Sequence, residues 1–181
     1  MTDRVKRPLL FLDVDGTLLP VGGVRRPSTL EEWNEKWQNA SNPQLARLTP
    51  EHGPRLLALS CEIMWATAWM NDANNVIAPL LGLPGLPVVD MGELPGVDDP
   101  IWSEQDEAAE LNWKTQSLVR TAAGRPFVWL DDEITDVDRT WVSAHHPGAA
   151  LLHRVDSETG LTDPDLTAVG EWLKAASGAT G

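Results

Sequence analysis

The sequence predicts an α/β domain in which a parallel sheet of about five strands lies between two layers of helices. Three observations predict this fold: short apolar runs recur along the chain, segments with helical signals separate them, and the connections are short. The apolar runs are continuous, as is typical of parallel strands that are buried on both faces. Because 181 residues suit one domain with a sizeable core, we expect residues 1–181 to form a single domain.

Five segments are predicted to be strands because each is an apolar run bounded by polar, proline or glycine residues. They are PLLFLD (8–13), CEIMWATAW (61–69), LPVVD (86–90), RPFVWLDDE (125–133) and GAALLHRV (148–155). Several of these runs end in carboxylate or hydroxyl side chains. That position matters because ligands of open parallel sheets bind beyond the carboxyl ends of the strands.

Helical signals lie between the apolar runs. Ser28 followed by Glu31 is a capping-box pattern, which predicts a short helix over 28–37. Further helices are predicted after Pro50 and over residues 71–83, 112–123 and 162–176. The alternation of strands and helices therefore supports a parallel sheet with helices on both faces.

The composition excludes several classes of protein. The 14 basic and 27 acidic residues give a net charge of −13, which repels phosphate backbones and disfavours nucleic-acid binding. No stretch approaches the ~20 apolar residues that a membrane span needs. The single cysteine, Cys61, excludes an intrachain disulfide and favours a cytoplasmic location. Nine tryptophans without a tyrosine are unusual, and we assign them to packing.

Carboxylates, a hydroxyl and an ammonium are predicted to meet at one edge of the sheet. The residues are Asp13 and Asp15 after the first strand, Thr67 in the second, Asp131 and Asp132 in the fourth, and Lys114 at a helix start. Buried carboxylates are costly unless they are paired, hydrogen-bonded or bound to metal. Mg²⁺ prefers hard oxygen ligands, so the sequence predicts a magnesium site at this edge.

This set resembles the motifs of the haloacid dehalogenase (HAD) superfamily of phosphatases and phosphotransferases. The resemblance rests on DVDGT (13–17), the threonine in WATAW (65–69), Lys114 in NWKTQ and LDDE (130–133), in this order. RVDSETGLTDPDL (154–166) is also similar to the last strand and helix of that family. The resemblance covers nearly the whole chain and implies a three-layer Rossmann-like fold and a Mg²⁺-dependent phosphatase.

The resemblance also implies a role for each residue. Asp13 would be the nucleophile that forms an aspartyl-phosphate, and Asp15 would protonate the leaving alkoxide and then activate water. Thr67 and nearby backbone N–H groups, including that of Ala68, would bind the phosphoryl oxygens. Lys114 would neutralise charge that Asp13 shares with the phosphoryl group.

For the metal, the resemblance implies four ligands: Asp13, the backbone carbonyl of Asp15, Asp131 and Asp132. The sequence leaves open which of Asp131 and Asp132 binds Mg²⁺ directly.

Many HAD proteins insert a cap domain either after the first motif or before the lysine. Here neither residues 18–60 nor residues 91–113 are long enough for one, so we expect no large cap domain and an open site. A loop, or another subunit of a homo-oligomer, could cover it. The expected substrates are phosphorylated small molecules or phosphoproteins.

Two segments, 17–28 and 91–112, are long enough and near enough to shape the entrance to this site. In the first, Arg25 or Arg26 could contact an anionic part of the substrate, although solvation at the surface is an equal alternative. In the second, Trp102 could offer a flat apolar surface. We therefore expect specificity to reside in these segments.

Three alternatives to a phosphatase fit the sequence less well. A signalling receiver module combines the same residue types, but its acidic pair follows the first strand and its phosphorylated aspartate lies mid-chain. A catalytically silent interaction module with the HAD fold should lack one of the key carboxylates. Dehalogenation releases a halide, which needs no proton and therefore no acid at Asp15.

Overall fold

The structure is a computed structural model that describes residues 6–27, 29–92 and 111–178. Its central sheet has four parallel strands in the order β2-β1-β3-β4. The strands are β1 (Leu9–Leu12), β2 (Glu62–Trp65), β3 (Phe127–Asp131) and β4 (Ala150–Arg154). The predicted parallel α/β sheet is confirmed, and β1 lies in its middle, beside both β2 and β3.

The segment LPVVD, predicted as a fifth strand, contacts the sheet at a single point. Val88 forms an isolated parallel bridge with Trp65 at the outer side of β2. Pro87 has no N–H, and the backbone N–H and C=O of Leu86 are both hydrogen-bonded to the side chain of Asn74. The segment therefore cannot extend the ladder, and the sheet has four strands instead of about five.

Six helices and three short helical turns are described in these residues. The helices are α1 (Leu30–Glu32), α2 (His52–Leu57), α3 (Ala78–Leu81), α4 (Thr115–Ala122), α5 (Asp136–His145) and α6 (Asp163–Gly178). The turns are π-helical at Trp33–Trp37 and Ala73–Ile77 and 3₁₀ at Pro43–Arg47. Within the described ranges, no helix combines the length and apolar character needed to cross a membrane.

Two helix starts differ from the sequence expectation. Ser28, the expected cap of α1, lies outside the described residues, and the Thr29 hydroxyl accepts a hydrogen bond from the Glu32 N–H (3.2 Å). Helix α5 was not separately predicted, and it begins with a capping box between Thr135 and Asp138. In both cases a threonine satisfies a backbone donor that the first helical turn leaves free.

Successive residues of β1 face two separate hydrophobic clusters. Leu10 and Leu12 join the cluster that packs against α2, α3 and α6, whereas Leu9 and Phe11 join the cluster that packs against α4 and α5. All four side chains are at most 2% exposed. Both faces of the sheet are therefore covered by helices.

Gly53 lies where α2 packs closely against the end of α3. A Cβ at this position would overlap the backbone carbonyl oxygen of Leu81. We expect Gly53→Ala to lower the free energy of unfolding in urea by about 1–3 kcal/mol.

Gly170 in α6 offers a matched control, since a Cβ there would meet only Leu59 Cδ2, at 3.5 Å. Gly170→Ala should raise the free energy of unfolding by about 0.5–1 kcal/mol, because alanine favours a helix over glycine. If both variants gained stability, the close approach of α2 to α3 would be refuted.

Candidate active site

The site begins at the sharp turn that follows β1. Asp13 directly follows the strand, and its N–H donates to the Leu130 carbonyl of β3 (3.1 Å). Gly16 in the turn has a positive φ of 73°, and a Cβ there would overlap the Asp132 carboxylate and the Arg26 guanidinium. Glycine is therefore required twice, for the backbone conformation and for the close approach of Asp132 and Arg26.

Lys114 joins two of the predicted carboxylates. Its Nζ donates to Asp13 Oδ1 (2.8 Å) and to Asp131 Oδ2 (2.6 Å), and the lysine is 3% exposed. Burial alone would lower the pKa of Lys114, but Asp13 and Asp131 more than offset this and raise it. The ammonium is therefore charged and connects the ends of β1 and β3.

Asp138 holds the segment that carries Lys114. Its Oδ1 accepts from the Asn112 N–H (2.8 Å) and the Thr115 hydroxyl (2.7 Å), while Oδ2 accepts from the N–H (2.9 Å) and hydroxyl (2.8 Å) of Thr135. The carboxylate is fully buried. Sequence reasoning missed this residue; the pattern Thr135-x-x-Asp138 could have indicated the helix start but not the contacts with residues 112 and 115.

Three carboxylates lie close enough to hold one metal ion. Asp13, Asp131 and Asp132 each offer an oxygen, and these oxygens lie within 4.8 Å of one another. Asp131 already accepts from Lys114, from the Glu133 N–H (2.9 Å) and, more weakly, from the Trp129 indole (3.1 Å).

Asp132 is different, because its Oδ1 is buried and has no hydrogen-bond partner in the described part of the chain. A buried carboxylate oxygen without a donor is unfavourable, and a cation would satisfy it. Together with the oxygen-only donor set, this atom fits Mg²⁺. It also favours Asp132 as a direct ligand.

The pKa shifts of the clustered carboxyl groups also favour a bound cation. Burial raises the pKa of Asp13, and Asp131 raises it further against the opposing effect of Lys114. Burial and the nearby carboxylates also raise the pKa of Asp132, and they raise that of Glu133 to about 8. A divalent cation bound beside these groups would oppose the rise in their pKa values, because it favours ionised carboxylates.

Of the two arginines in the loop after β1, the structure brings Arg26 to the site. Its guanidinium donates to Asp132 Oδ2 (2.5 Å) and lies 3.6 Å from Glu133 Oε1. Arg25, the other arginine that the sequence placed at the entrance, is exposed at the surface. Trp102, the other expected specificity residue, lies outside the described residues.

Thr67 lies in the turn after β2, at the same edge of the sheet. The Ala66 N–H donates to the Leu12 carbonyl (2.8 Å), which places this turn beside the end of β1. Thr67 is fully buried, its hydroxyl accepts from the Trp69 N–H (3.3 Å), and Ala68 is half-buried in the same turn. The hydroxyl is thus placed at the edge where the sequence predicted it.

Two tryptophans bind the carboxylate of Asp15. The indole Nε1 of Trp37 donates to Oδ1 (2.5 Å), and that of Trp69 donates to Oδ2 (2.8 Å). Burial raises the pKa of Asp15 to about 6, although both indole hydrogen bonds lower it. Sequence reasoning assigned the tryptophans to packing and missed this role; their number was the available signal.

This chain is similar to one family model and to one solved structure. The HAD domain of the effector protein Lem4 from Legionella pneumophila superposes with a TM-score of 0.49 at 15% identity, over 93% of each chain. No curated protein matches the chain. A family model described as the HAD domain in Swiss Army Knife RNA repair proteins matches residues 9–166. That range contains all four strands and every predicted motif from Asp13 to Asp132, which confirms the resemblance to the HAD superfamily: the chain belongs to the family of HAD domains in Swiss Army Knife RNA repair proteins.

Proposed function

We propose that this chain is a Mg²⁺-dependent phosphatase that hydrolyses a phosphate monoester through an aspartyl-phosphate on Asp13. One observation carries the proposal: Asp13 shares Lys114 with Asp131 and lies with Asp131 and Asp132 in a cluster that one cation could bridge. Asp13, Asp131 and Asp132 would hold Mg²⁺, with the backbone carbonyl of Asp15 as a further ligand. The bound ion would supply positive charge to the phosphoryl oxygens and orient Asp13.

In the first step, a carboxylate oxygen of Asp13 attacks phosphorus, and the bond between phosphorus and the leaving oxygen breaks. Asp15 transfers its proton to that leaving oxygen, so the product departs as an alcohol. Thr67 and the backbone N–H of Ala68 bind phosphoryl oxygens, and Lys114 balances their charge.

In the second step, Asp15 removes a proton from water, and the water oxygen attacks the phosphorus of the aspartyl-phosphate. The bond between phosphorus and Asp13 breaks, which releases inorganic phosphate. Asp13 is again a carboxylate and Asp15 again carries its proton, so both groups are restored for another turnover.

Several substrates are compatible with this chemistry. Phosphorylated small molecules and phosphoproteins are the classes expected from the sequence, and a homo-oligomer could supply a cover for the site. The family description refers to RNA repair, and on that ground we add a phosphate at an RNA end as a further candidate substrate. The net charge of −13 opposes wide contact with an RNA backbone, so such a substrate would insert only its terminal phosphate.

The proposal predicts that the protein releases inorganic phosphate from p-nitrophenyl phosphate when Mg²⁺ is present. EDTA should abolish the release and added Mg²⁺ should restore it. Asp13→Asn should reduce the rate to background, because the amide is a poor nucleophile. Glu171→Gln is the control: Glu171 is exposed in α6, outside every segment that carries a candidate site residue, and its variant should keep the unmodified rate.

The same assay should then compare an alkyl phosphate, a phosphopeptide and RNA oligonucleotides with a terminal phosphate. The substrate with the highest kcat/KM identifies the class. If no ester of this panel is hydrolysed with any divalent cation, the phosphatase is excluded, and a receiver-like or catalytically silent interaction module becomes the better description.

Metal binding gives a second prediction that does not depend on turnover. Asp132→Asn should weaken Mg²⁺ binding by about tenfold or more, because a neutral amide replaces a charged carboxylate ligand. Isothermal titration calorimetry measures this affinity. Glu171→Gln should bind Mg²⁺ as tightly as the unmodified protein. Equal affinities of Asp132→Asn and the unmodified protein would remove Asp132 from the metal site.

A further inference from the structure

We propose that Trp37 and Trp69 are positioning residues that hold the carboxyl group of Asp15 for proton transfer to and from the substrate. This inference rests on the proposed function. The two indoles approach Asp15 from different parts of the chain, 22 and 54 positions away. Each bonds a different carboxylate oxygen, at 2.5 Å from Trp37 and 2.8 Å from Trp69.

The two indoles come from elements that already border the site. Trp37 ends the π-helical turn that follows α1, in the connection where other HAD proteins insert a cap. Trp69 lies two residues after Thr67, in the turn assigned to phosphoryl binding. The group that supports Asp15 is therefore built from the entrance segment and from the phosphoryl-binding turn together.

Gln38 braces these two elements against each other. Its Oε1 accepts from the Trp33 indole (2.6 Å), and its Nε2 donates to the backbone carbonyl of Trp69 (2.8 Å). Trp33, Trp37 and Trp69 are all at most 5% exposed. Gln38 thus joins the backbone of Trp69 to the helical turn that carries Trp37, which restricts the two indole donors relative to each other. We call Trp37 and Trp69 together the clamp.

The chemistry of indole makes this arrangement suited to proton transfer. Indole Nε1 is a donor only, so it can orient the Asp15 carboxyl group but cannot accept its proton. Two donors on opposite oxygens fix the plane of the carboxyl group, and general acid–base catalysis depends on that geometry. The proton of Asp15 is thus left for the leaving oxygen and the attacking water.

Packing alone would not require this direction of the indole N–H groups. Trp65 is also fully buried, yet its Nε1 donates to Asn74 Oδ1 (2.8 Å), away from Asp15. Trp65 therefore provides a matched control: it has the same side chain and burial, with a hydrogen bond outside the site.

The test replaces each indole by phenyl, which removes the donor and keeps an aromatic ring. An alkyl phosphate needs a proton on its leaving oxygen, whereas p-nitrophenyl phosphate hardly does. Trp37→Phe and Trp69→Phe should lower kcat/KM for the alkyl ester about tenfold more than for the nitrophenyl ester. This loss is a fraction of the ~10²–10⁴-fold that acid–base catalysis contributes in total. Trp65→Phe should leave the ratio of the two values unchanged.

A double-variant cycle makes the link to Asp15 explicit. In the Asp15→Asn background, Trp69→Phe should cause no further change in the ratio, because the group that it positions is gone. An unchanged ratio in both Trp37→Phe and Trp69→Phe, or an undiminished effect in the Asp15→Asn background, would overturn the proposal.

A readout without turnover separates this proposal from the proposed function. In ¹H–¹⁵N spectra, the indole N–H signals of Trp37 and Trp69 should shift upfield in Asp15→Asn, because a neutral amide is a weaker acceptor, while the Trp65 signal should stay in place. Unmoved Trp37 and Trp69 signals would overturn the clamp, even if the phenyl variants fail to fold. Shifted signals in a protein that hydrolyses no ester would instead overturn the proposed function, and with it the catalytic role of the clamp.

Discussion

The architecture of the site depends on placing several carboxylates together at a buried edge of the sheet. Asp13, Asp131 and Asp132 are each at most 6% exposed, and like charges at this separation repel strongly in a medium of low polarity. Lys114 is the main compensation within the chain, because its ammonium bonds two of these carboxylates. Removal of the lysine would leave both charges buried and unpaired, which is among the most destabilising changes that a folded domain can suffer.

The compensation extends outward through polar groups that hold the charged ones. Asp138 accepts four hydrogen bonds and fixes the segment that carries Lys114, while Arg26 bonds Asp132 from the loop after β1. These bonds satisfy most of the cluster, and the unpartnered Oδ1 of Asp132 is the exception. One buried carboxylate oxygen thus has no hydrogen-bond donor at the point where the three carboxylates converge, which is the arrangement expected of a cation site.

The connection between β1 and β2 reaches the candidate active site. Residues 29–58 form short helices and turns that pack on the sheet. Trp33 and Trp37 of this segment are buried in the same hydrophobic cluster as Leu10 and Leu12 of β1. Through Trp37 the segment also contacts Asp15. The sequence predicted an open site because the connection is short, yet even a short connection brings an indole donor to Asp15, the proposed acid–base residue.

The sequence by itself determined the sheet, the order of its strands along the chain and the residues that meet at its edge. Continuous apolar runs indicate buried parallel strands, and the ends of such strands share one edge, so Asp13, Asp15, Thr67, Asp131 and Asp132 could be named in advance. Lys114 lies at a helix start, and the resemblance to the HAD motifs supplied its role. Of the five predicted strands, LPVVD (86–90) does not join the sheet ladder, because Pro87 and the hydrogen bonds of Leu86 to Asn74 prevent it. Only the tertiary structure decided the partners of the charged groups. Arg26 meets Asp132 across 106 positions and Trp69 meets Asp15 across 54, and no local pattern encodes contacts between side chains that folding alone brings together.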